Sequence, residues 1–322
     1  MQERFSGPSI PECGNCRVGR LTPTGKPFRL AEILHRWEAQ RARPFSPIVW
    51  NDYRENNDEF IAVHACDRCG IHYFLPIVVG TEQFYREVTE TNYYVEAKWE
   101  FRRAVRDLRR QKRSRTLDVG CGTGEFLAYL RAQTGLSGMG FDFNHSPLTA
   151  LRERGFAGLE SLDDSANAAS FDSITLFQVI EHVADHHALF DRLDRLLAPG
   201  GIYIVAVPDR EGPVRFFQDA VTDNPPHHVT RWSRNALLAL AQTRGYHTRY
   251  LTSEWLPRYL WGMYLPHILN NAGLPFRLAG RLNRSGATQA FVRLASATHL
   301  QELPGVRGHS LYAVFEQASA PC

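Results

Sequence analysis

Residues 117–126 read Leu117-Asp118-Val119-Gly120-Cys121-Gly122-Thr123-Gly124-Glu125-Phe126. A short apolar run, glycines at alternate positions and then a helical pattern describe a strand that turns directly into a helix. Glycine there permits the tight turn and lets a ligand lie against backbone at the open helix N-terminus. A nicotinamide dinucleotide site needs G-x-G-x-x-G, and the sixth position here is Glu125. Asp118 and Glu125 flank the loop; two carboxylates repel a pyrophosphate and suit a cationic ligand. Asp142 ends the next apolar run, Ser137–Asp142, where a carboxylate can accept from both hydroxyls of a ribose. Loop and acid together point to a positively charged nucleoside rather than a dinucleotide.

The same rhythm continues outward. Thr116–Val119 is read as the strand entering the loop and Glu125–Gln133 as the helix leaving it. Asp172–Phe177 is a further strand, followed by a helix with Leu189, Leu193, Leu196 and Leu197 on one face. Pro199-Gly200-Gly201 punctuates, and Ile202–Val207 is a continuous apolar run suited to a central strand. Trp232-Ser233 starts a helix that Gly245 stops, and His309–Gln317 reads as a last strand. Alternating strands and helices imply an α/β parallel sheet with both faces covered.

With 43% hydrophobic and 22% charged residues in 322, the composition is globular and excludes a disordered or fibrous chain. A formal charge of +3 gives no general case for nucleic-acid binding. Residues 1–11 show no apolar core of a secretory signal, and no run of about 18 uncharged apolar residues appears, so a cytoplasmic location is expected. The organisation reads as a cysteine-bearing module over 1–80, a core over 81–253, an aromatic-rich helical insertion over 254–303, and a last core strand and tail over 304–322.

LDVGCGTGEF at 117–126, GFD at 140–142, FDSITLFQVIEHV at 171–183 and LLAPGGIYIVAVP at 196–208 together resemble a class I S-adenosylmethionine-dependent methyltransferase. The resemblance covers about 90–252 plus the last strand. It implies a Rossmann-like, seven-stranded sheet with an antiparallel last strand, binding S-adenosylmethionine at the strand carboxyl ends. Carried onto matching positions, Asp118, Gly120, Gly122 and Gly124 hold the methionine part, Asp142 the ribose, and Phe143 lies beside the adenine. Ser161 and Leu162 are further adenine candidates. Gln178, Val179 and Ile180 line the sulfonium. Cys121 is a small packing residue in such loops.

Two places offer acceptor chemistry. Glu181-His182 follows the fourth strand at the mouth of the site; it serves the chemistry or merely orients the loop. Pro225-Pro226-His227-His228 with Val229-Thr230-Arg231-Trp232-Ser233 resembles an element that closes the site in some of these enzymes, with His228 as an acceptor contact or a loop anchor. Two imidazoles near neutral pH can exchange protons. Tyr94 is a lid over the cofactor or part of a packing stripe with Trp99 and Phe101.

Cys13-Gly14-Asn15-Cys16 and Cys66-Asp67-Arg68-Cys69 are two knuckle-like turns whose four thiolates suffice for a closed tetrahedral Zn2+ site of structural type. The long gap between them suggests an inserted helix, Leu30–Arg41, with Leu30, Ile33, Leu34 and Trp37 on one face. Zinc ribbons precede some methyltransferases of this type, sugar C-methyltransferases among them, but the large C-terminal domain of those enzymes is absent here. The basic run from Arg102 to Arg115 grips phosphates or is a solvated face. Trp255–Leu269 lies at a membrane interface, covers the acceptor, forms a subunit contact, or packs on the core. The leading expectation is methyl transfer, chiefly to oxygen, on a small or lipid-linked metabolite. RNA or protein methylation, with the zinc module and Arg run as grip, is the alternative, and a non-catalytic sensor a third reading. The oligomeric state is left open.

Overall fold

The computed structural model describes residues 12–89, 98–217, 219–257, 260–286, 290 and 302–317. Strand β1 (Leu21–Arg29) leads into α1 (Leu30–Arg41) and α2 (Pro47–Asp52), and the chain returns through β2 (Phe60–Cys66) and β3 (His72–Leu75). The expected inserted helix is present over its expected span. Leu30, Ile33, Leu34 and Trp37 are its buried residues, because 3–4 spacing puts them on one face. They pack with Tyr53, Ile61, Phe74 and Phe84 into a small core under this sheet. Helices α3 (Glu82–Thr89) and α4 (Trp99–Arg110) then lead to the larger sheet.

That sheet begins with β4 (Thr116–Val119), α5 (Glu125–Thr134), β5 (Met139–Phe141), α6 (His145–Glu153) and β6 (Ala157–Gly158). It continues with β7 (Phe171–Phe177), α7 (His186–Leu196) and β8 (Leu197–Pro208). After β9 (Thr230–Arg231) come α8 (Arg234–Arg244), β10 (His247–Pro257), α9 (Trp261–Asn271), α10 (Phe276–Asn283) and β11 (Glu302–Glu316). Seven strands lie in the order β10-β11-β8-β7-β4-β5-β6, with β11 antiparallel to both neighbours, as the resemblance implies. One apolar cluster, including Ile174, Leu193, Val205 and Phe315, fills one side of the sheet. A second, including Phe126, Leu151, Ile204 and Val314, fills the other.

The differences from the sequence reading have local causes. Leu197 does not extend the helix but opens β8, because Ala198 precedes Pro199 and a residue before proline is pushed out of helical backbone. The run Ser137–Asp142 shortens to Met139–Phe141, because Asp142 turns the chain by accepting from the Asn144 N–H at 2.9 Å. The last strand starts earlier, at Glu302, because β10 is long enough to pair with it back to Pro257. Helix α8 starts and stops as expected: Ser233 Oγ accepts from the Ala236 N–H, and Gly245 adopts the left-handed conformation at the C-terminus.

Two connections position the site. β9 lies between two core elements in sequence, yet pairs with β3, so the first sheet runs β1-β2-β3-β9. The histidine-bearing segment before β9 is thereby fastened to the cysteine module. The loops after β4, β5, β7 and β8 all open at the strand carboxyl ends, the edge where α/β sheets bind ligands.

Candidate active site

The first half of the site grows from the glycine loop. Gly120, Gly122 and Gly124 all have positive φ (70°, 52° and 91°). At Gly120 a Cβ would come within 2.5 Å of Val179 and at Gly124 within 2.5 Å of Leu151, so the loop is both turned and crowded in ways only glycine accommodates. Gly122 donates its N–H to Asp142 Oδ2 at 3.0 Å, which ties the loop to the end of β5. Cys121 is buried, its sulfur filling the space where Gly140 lacks a side chain.

Asp118 is buried and accepts from Thr175 Oγ1 at 2.6 Å. Burial, helped by the nearby charges of Asp142 and Glu125, pushes its carboxyl up to about 7 despite that bond. Burial also raises Asp142, opposed by the backbone N–H groups it accepts from. Glu125 takes Thr123 Oγ1 at 2.5 Å and Arg154 at 3.0 Å. Two raised acids facing one cleft favour a cation, because a positive ligand lets both ionise.

This half shares a cleft of about 670 Å³ with a histidine-rich half. Asp118, Gly120, Gly122, Asp142, Phe143, Gln178, Val179, His182 and His228 line it. Gly124, Ser161, Leu162, Ile180 and Glu181 are not on its wall. Gly124 caps α5 behind the loop, Leu162 and Ile180 are core residues, and Ser161 Oγ accepts the Asp163 N–H. Tyr94 lies outside the described residues. Gln178 sits at the end of β7 with φ 58°, a strained value for a side chain of that kind and one that turns the chain toward the cleft.

At the far end three imidazoles meet. His182 Nδ1 donates to the His227 carbonyl at 2.6 Å, His227 Nδ1 to the Thr222 carbonyl at 2.9 Å, and His228 Nδ1 faces Asp223 Oδ1 at 3.4 Å. Burial holds His182 down at about 4 and also holds His227 and His228 well below the usual imidazole value, the latter two with a neighbouring imidazole's charge against them. Glu181 is 1% exposed, and neither of its carboxylate oxygens has a hydrogen-bond partner among the described residues. Its carboxyl is pushed up to about 8 by burial.

Several groups here carried no signal in the sequence. Asp223 bridges His228 and Arg231, at 2.7 Å from the latter. Glu254 accepts the His309 and Ser310 N–H groups, and Tyr264 OH lies 3.2 Å from His309 Nδ1. Tyr85 OH donates to the His227 carbonyl. Tyr264 comes from the aromatic segment, so α9 reaches the cleft wall. None of these residues sits in a motif; only folding brings them together.

The cysteines of the two knuckles converge. One ligand atom from each of Cys13, Cys16, Cys66 and Cys69 lies within 4.8 Å of the others, and the Cys13–Cys69 and Cys16–Cys66 sulfur pairs are each 3.7 Å apart. A tetrahedron with metal–sulfur bonds of about 2.3 Å has edges of about 3.8 Å, so the donor set fits a closed zinc site. Asn15, inside the first knuckle, donates to Cys69 Sγ and to the Ala236 carbonyl, and its own oxygens face His186 and His187. The knuckle is therefore bonded into α7 and α8.

The ionisation of Asp118 gives a testable pH effect. A folded-state value near 7 means that its contribution to the stability of the free protein is present at low pH and lost as pH rises through 7. A cationic ligand needs the ionised form, so its affinity falls about tenfold per unit below pH 7. Titration calorimetry with S-adenosylmethionine at pH 6 and pH 8 should show this, and Asp118→Asn should flatten the dependence while weakening binding. A wild-type affinity independent of pH would contradict it.

The family model described as "Methyltransferase domain" matches residues 92–251. A "probable S-adenosylmethionine-dependent methyltransferase" of Mycolicibacterium smegmatis is 30% identical over 138 residues, covering 40% of this chain and 51% of that protein. A ubiquinone biosynthesis O-methyltransferase of Hahella chejuensis is 27% identical over 156 residues, covering 41% and 65%. The chain thus spans between half and two thirds of the length of these two relatives. A SAM-dependent methyltransferase structure from Archaeoglobus fulgidus superposes with a TM-score of 0.41 at 16% identity, over 68% of this chain and 94% of that one. The ordered motifs, the strand order and the matched family model agree: residues 92–251 form a methyltransferase domain of the class I S-adenosylmethionine-dependent type.

Proposed function

We propose that the protein methylates a hydroxyl oxygen of a small or lipid-linked acceptor. The observation that carries this reading is one continuous cleft with a cation-favouring acidic half and a histidine-rich half. Bound at the acidic half, S-adenosylmethionine supplies an electrophilic methyl group. Asp142 holds the ribose and keeps the glycine loop in register, and Asp118 offers negative charge beneath the methionine part. Gln178 and Val179, at the end of β7, shape the passage between the halves. At the other end, neutral histidines can orient a hydroxyl and draw off its proton, which oxygen acceptors require for attack. Tyr264 and α9 cover that end, which gives the aromatic segment a part in choosing the acceptor. Ubiquinone biosynthesis O-methyltransferases recur among the relatives, in support of oxygen as the methylated atom.

A structural Zn2+ in the four-cysteine site completes the proposal. The ligand set leaves no open position, so its role is to hold β1–β3 and, through β9, the histidine segment. Among the described residues no helix is long and apolar enough to cross a membrane. Much of the Arg run serves the fold. Arg103 pairs with Asp107, Arg109 donates to the Gln133 carbonyl, Arg113 to the Gly200 carbonyl, and Arg115 pairs with Asp172. That favours a small acceptor over RNA.

The test incubates purified protein and methyl-labelled S-adenosylmethionine with cell lysate separated into small-molecule, lipid, RNA and protein fractions. Label is expected in the first two, and label confined to RNA or protein overturns the small-acceptor reading. With the labelled acceptor in hand, His228→Ala should lower turnover at least tenfold while S-adenosylmethionine affinity stays within about threefold, since general acid–base groups contribute on the order of 10²–10⁴. Unchanged turnover removes His228 from the chemistry.

A further inference from the structure

The three imidazoles at the acceptor end are arranged as a ligand set. Their ring centres form a nearly equilateral triangle: 4.6 Å between His182 and His227, 4.7 Å between His182 and His228, and 4.7 Å between His227 and His228. A ring centre lies roughly 1.1 Å beyond its ligating nitrogen. With metal–nitrogen bonds of about 2.1 Å, three imidazoles at right angles have centres about 4.5 Å apart, whereas a tetrahedral set has them about 5.2 Å apart. The observed spacing lies nearer the octahedral value than the tetrahedral one. One ring nitrogen from each lies within 4.8 Å of the others.

The tautomers are fixed as a metal site requires. His182 Nδ1 faces the His227 carbonyl and the Tyr85 hydroxyl, His227 Nδ1 the Thr222 carbonyl and His228 Nδ1 the Asp223 carboxylate; each has an acceptor to donate to, which leaves the lone pair on Nε2. A metal-bound histidine is held in this way, by donation from its other nitrogen to a carbonyl or carboxylate. Asp223, itself paired with Arg231, is the carboxylate behind His228. Glu181 supplies the negative charge. Its Oε1 lies 4.0 Å from His182 Nε2, it is buried, and neither oxygen has a hydrogen-bond partner among the described residues. A buried carboxyl left so is costly, and a cation beside it removes the cost.

We propose that His182, His227 and His228 bind one divalent transition-metal cation at the acceptor end of the cleft, distinct from the four-cysteine site, with the Glu181 carboxylate behind His182 as its counter-charge. Imidazole ligands suit zinc, iron, nickel or cobalt. The positions the histidines do not take stay open, enough for the oxygens of a hydroxylated acceptor. A bound ion lowers the pKa of such a hydroxyl so that its proton leaves to solvent; with their lone pairs on the ion, the histidines then act as ligands in place of the proton-accepting role that the metal-free site would give them. This role rests on the methyl-transfer reading; the binding of the ion does not.

The experiment therefore measures binding without turnover. Metal-stripped full-length protein is titrated with Co2+ under anaerobic conditions, followed by absorption and elemental analysis. Two equivalents per chain are expected. One gives the intense thiolate charge-transfer band of the cysteine site; the other gives weak d–d bands only and is lost in His228→Ala and weakened at least tenfold in Glu181→Gln. Cys13→Ser should remove the thiolate band, while the weak d–d bands persist at lower affinity because β3 no longer holds the histidine segment as firmly. A wild-type titration that stops at the thiolate-bound equivalent overturns the proposal, whatever the variants do. So does a second equivalent that persists in both His228→Ala and His182→Ala. S-adenosylmethionine binding by the same samples reports on their folding and separates a failure of this site from a failure of the methyl-transfer reading.

Discussion

Asp142→Ala should weaken S-adenosylmethionine binding by at least a hundredfold. The carboxylate would accept from the ribose diol through hydrogen bonds to a charged group, worth about 1.5–3 kcal/mol each. Two such bonds span about 3–6 kcal/mol, and the lower figure already exceeds a hundredfold in affinity. The variant also loses the clasp on Gly122 at 3.0 Å and on Asn144 at 2.9 Å, so the loop relaxes in addition. Asp142→Asn keeps one acceptor oxygen and should lie between wild type and alanine. Calorimetric titration of the three proteins, with melting curves as a control, checks the order. Equal affinities would show that the ribose is held elsewhere.

Removing the metal from the cysteine site should have the second large effect, and in two places. Structural zinc contributes about 10–16 kcal/mol to folding in small fingers. The module here has its own apolar core around Leu34, Tyr53 and Phe84, so part of its fold survives without metal. A loss of about 4 kcal/mol corresponds to a fall of roughly 10 °C in Tm for a domain of this size. Cys13→Ser, Cys66→Ser and chelation of the wild type should each show it. The functional effect follows from β3. Its pairing with β9, and the bond from the Phe74 N–H to the Val229 carbonyl at 3.1 Å, hold the segment bearing His227 and His228. Methyl transfer should therefore fall at least tenfold, while S-adenosylmethionine affinity, set by the other half of the cleft, changes little. A chelated protein with unchanged Tm and turnover would contradict both the metal and the linkage.

The cofactor half was legible because its signals are local. A turn at Gly120 needs positive φ, a strand end needs a breaker, and Asp142 follows β5 directly and lines the cleft. The convergence of the knuckles was equally legible, since two C-x-x-C turns announce four sulfurs that can meet, and the 3–4 pattern of Leu30, Ile33, Leu34 and Trp37 set the span of α1. Where local readings failed, a neighbour intervened: Pro199 drew Leu197 out of its helix. The histidine end was legible only as candidates. His182 and the pair His227-His228 lie far apart in sequence and meet because β9 joins the other sheet, a long-range pairing no local pattern announces. Asp223 and Glu254 act through contacts between distant elements, and nothing in their immediate sequence distinguishes them from solvated residues; Asn15 and Tyr264 lie in stretches the sequence singled out, but their individual contacts come only from the fold. Ser161 and Leu162 show the opposite case: the motif carried them in, and the fold sets them off the cleft wall.

The central claim is that this chain binds S-adenosylmethionine in the cleft between the glycine loop and the histidines. Titration of S-adenosylmethionine into the wild-type protein at pH 8, repeated with S-adenosylhomocysteine present, tests it most directly. One saturable site per chain, competed by the product and lost in Asp142→Ala, is the result predicted. A folded protein that takes up no ligand, or binds it equally well without Asp142, would contradict the account.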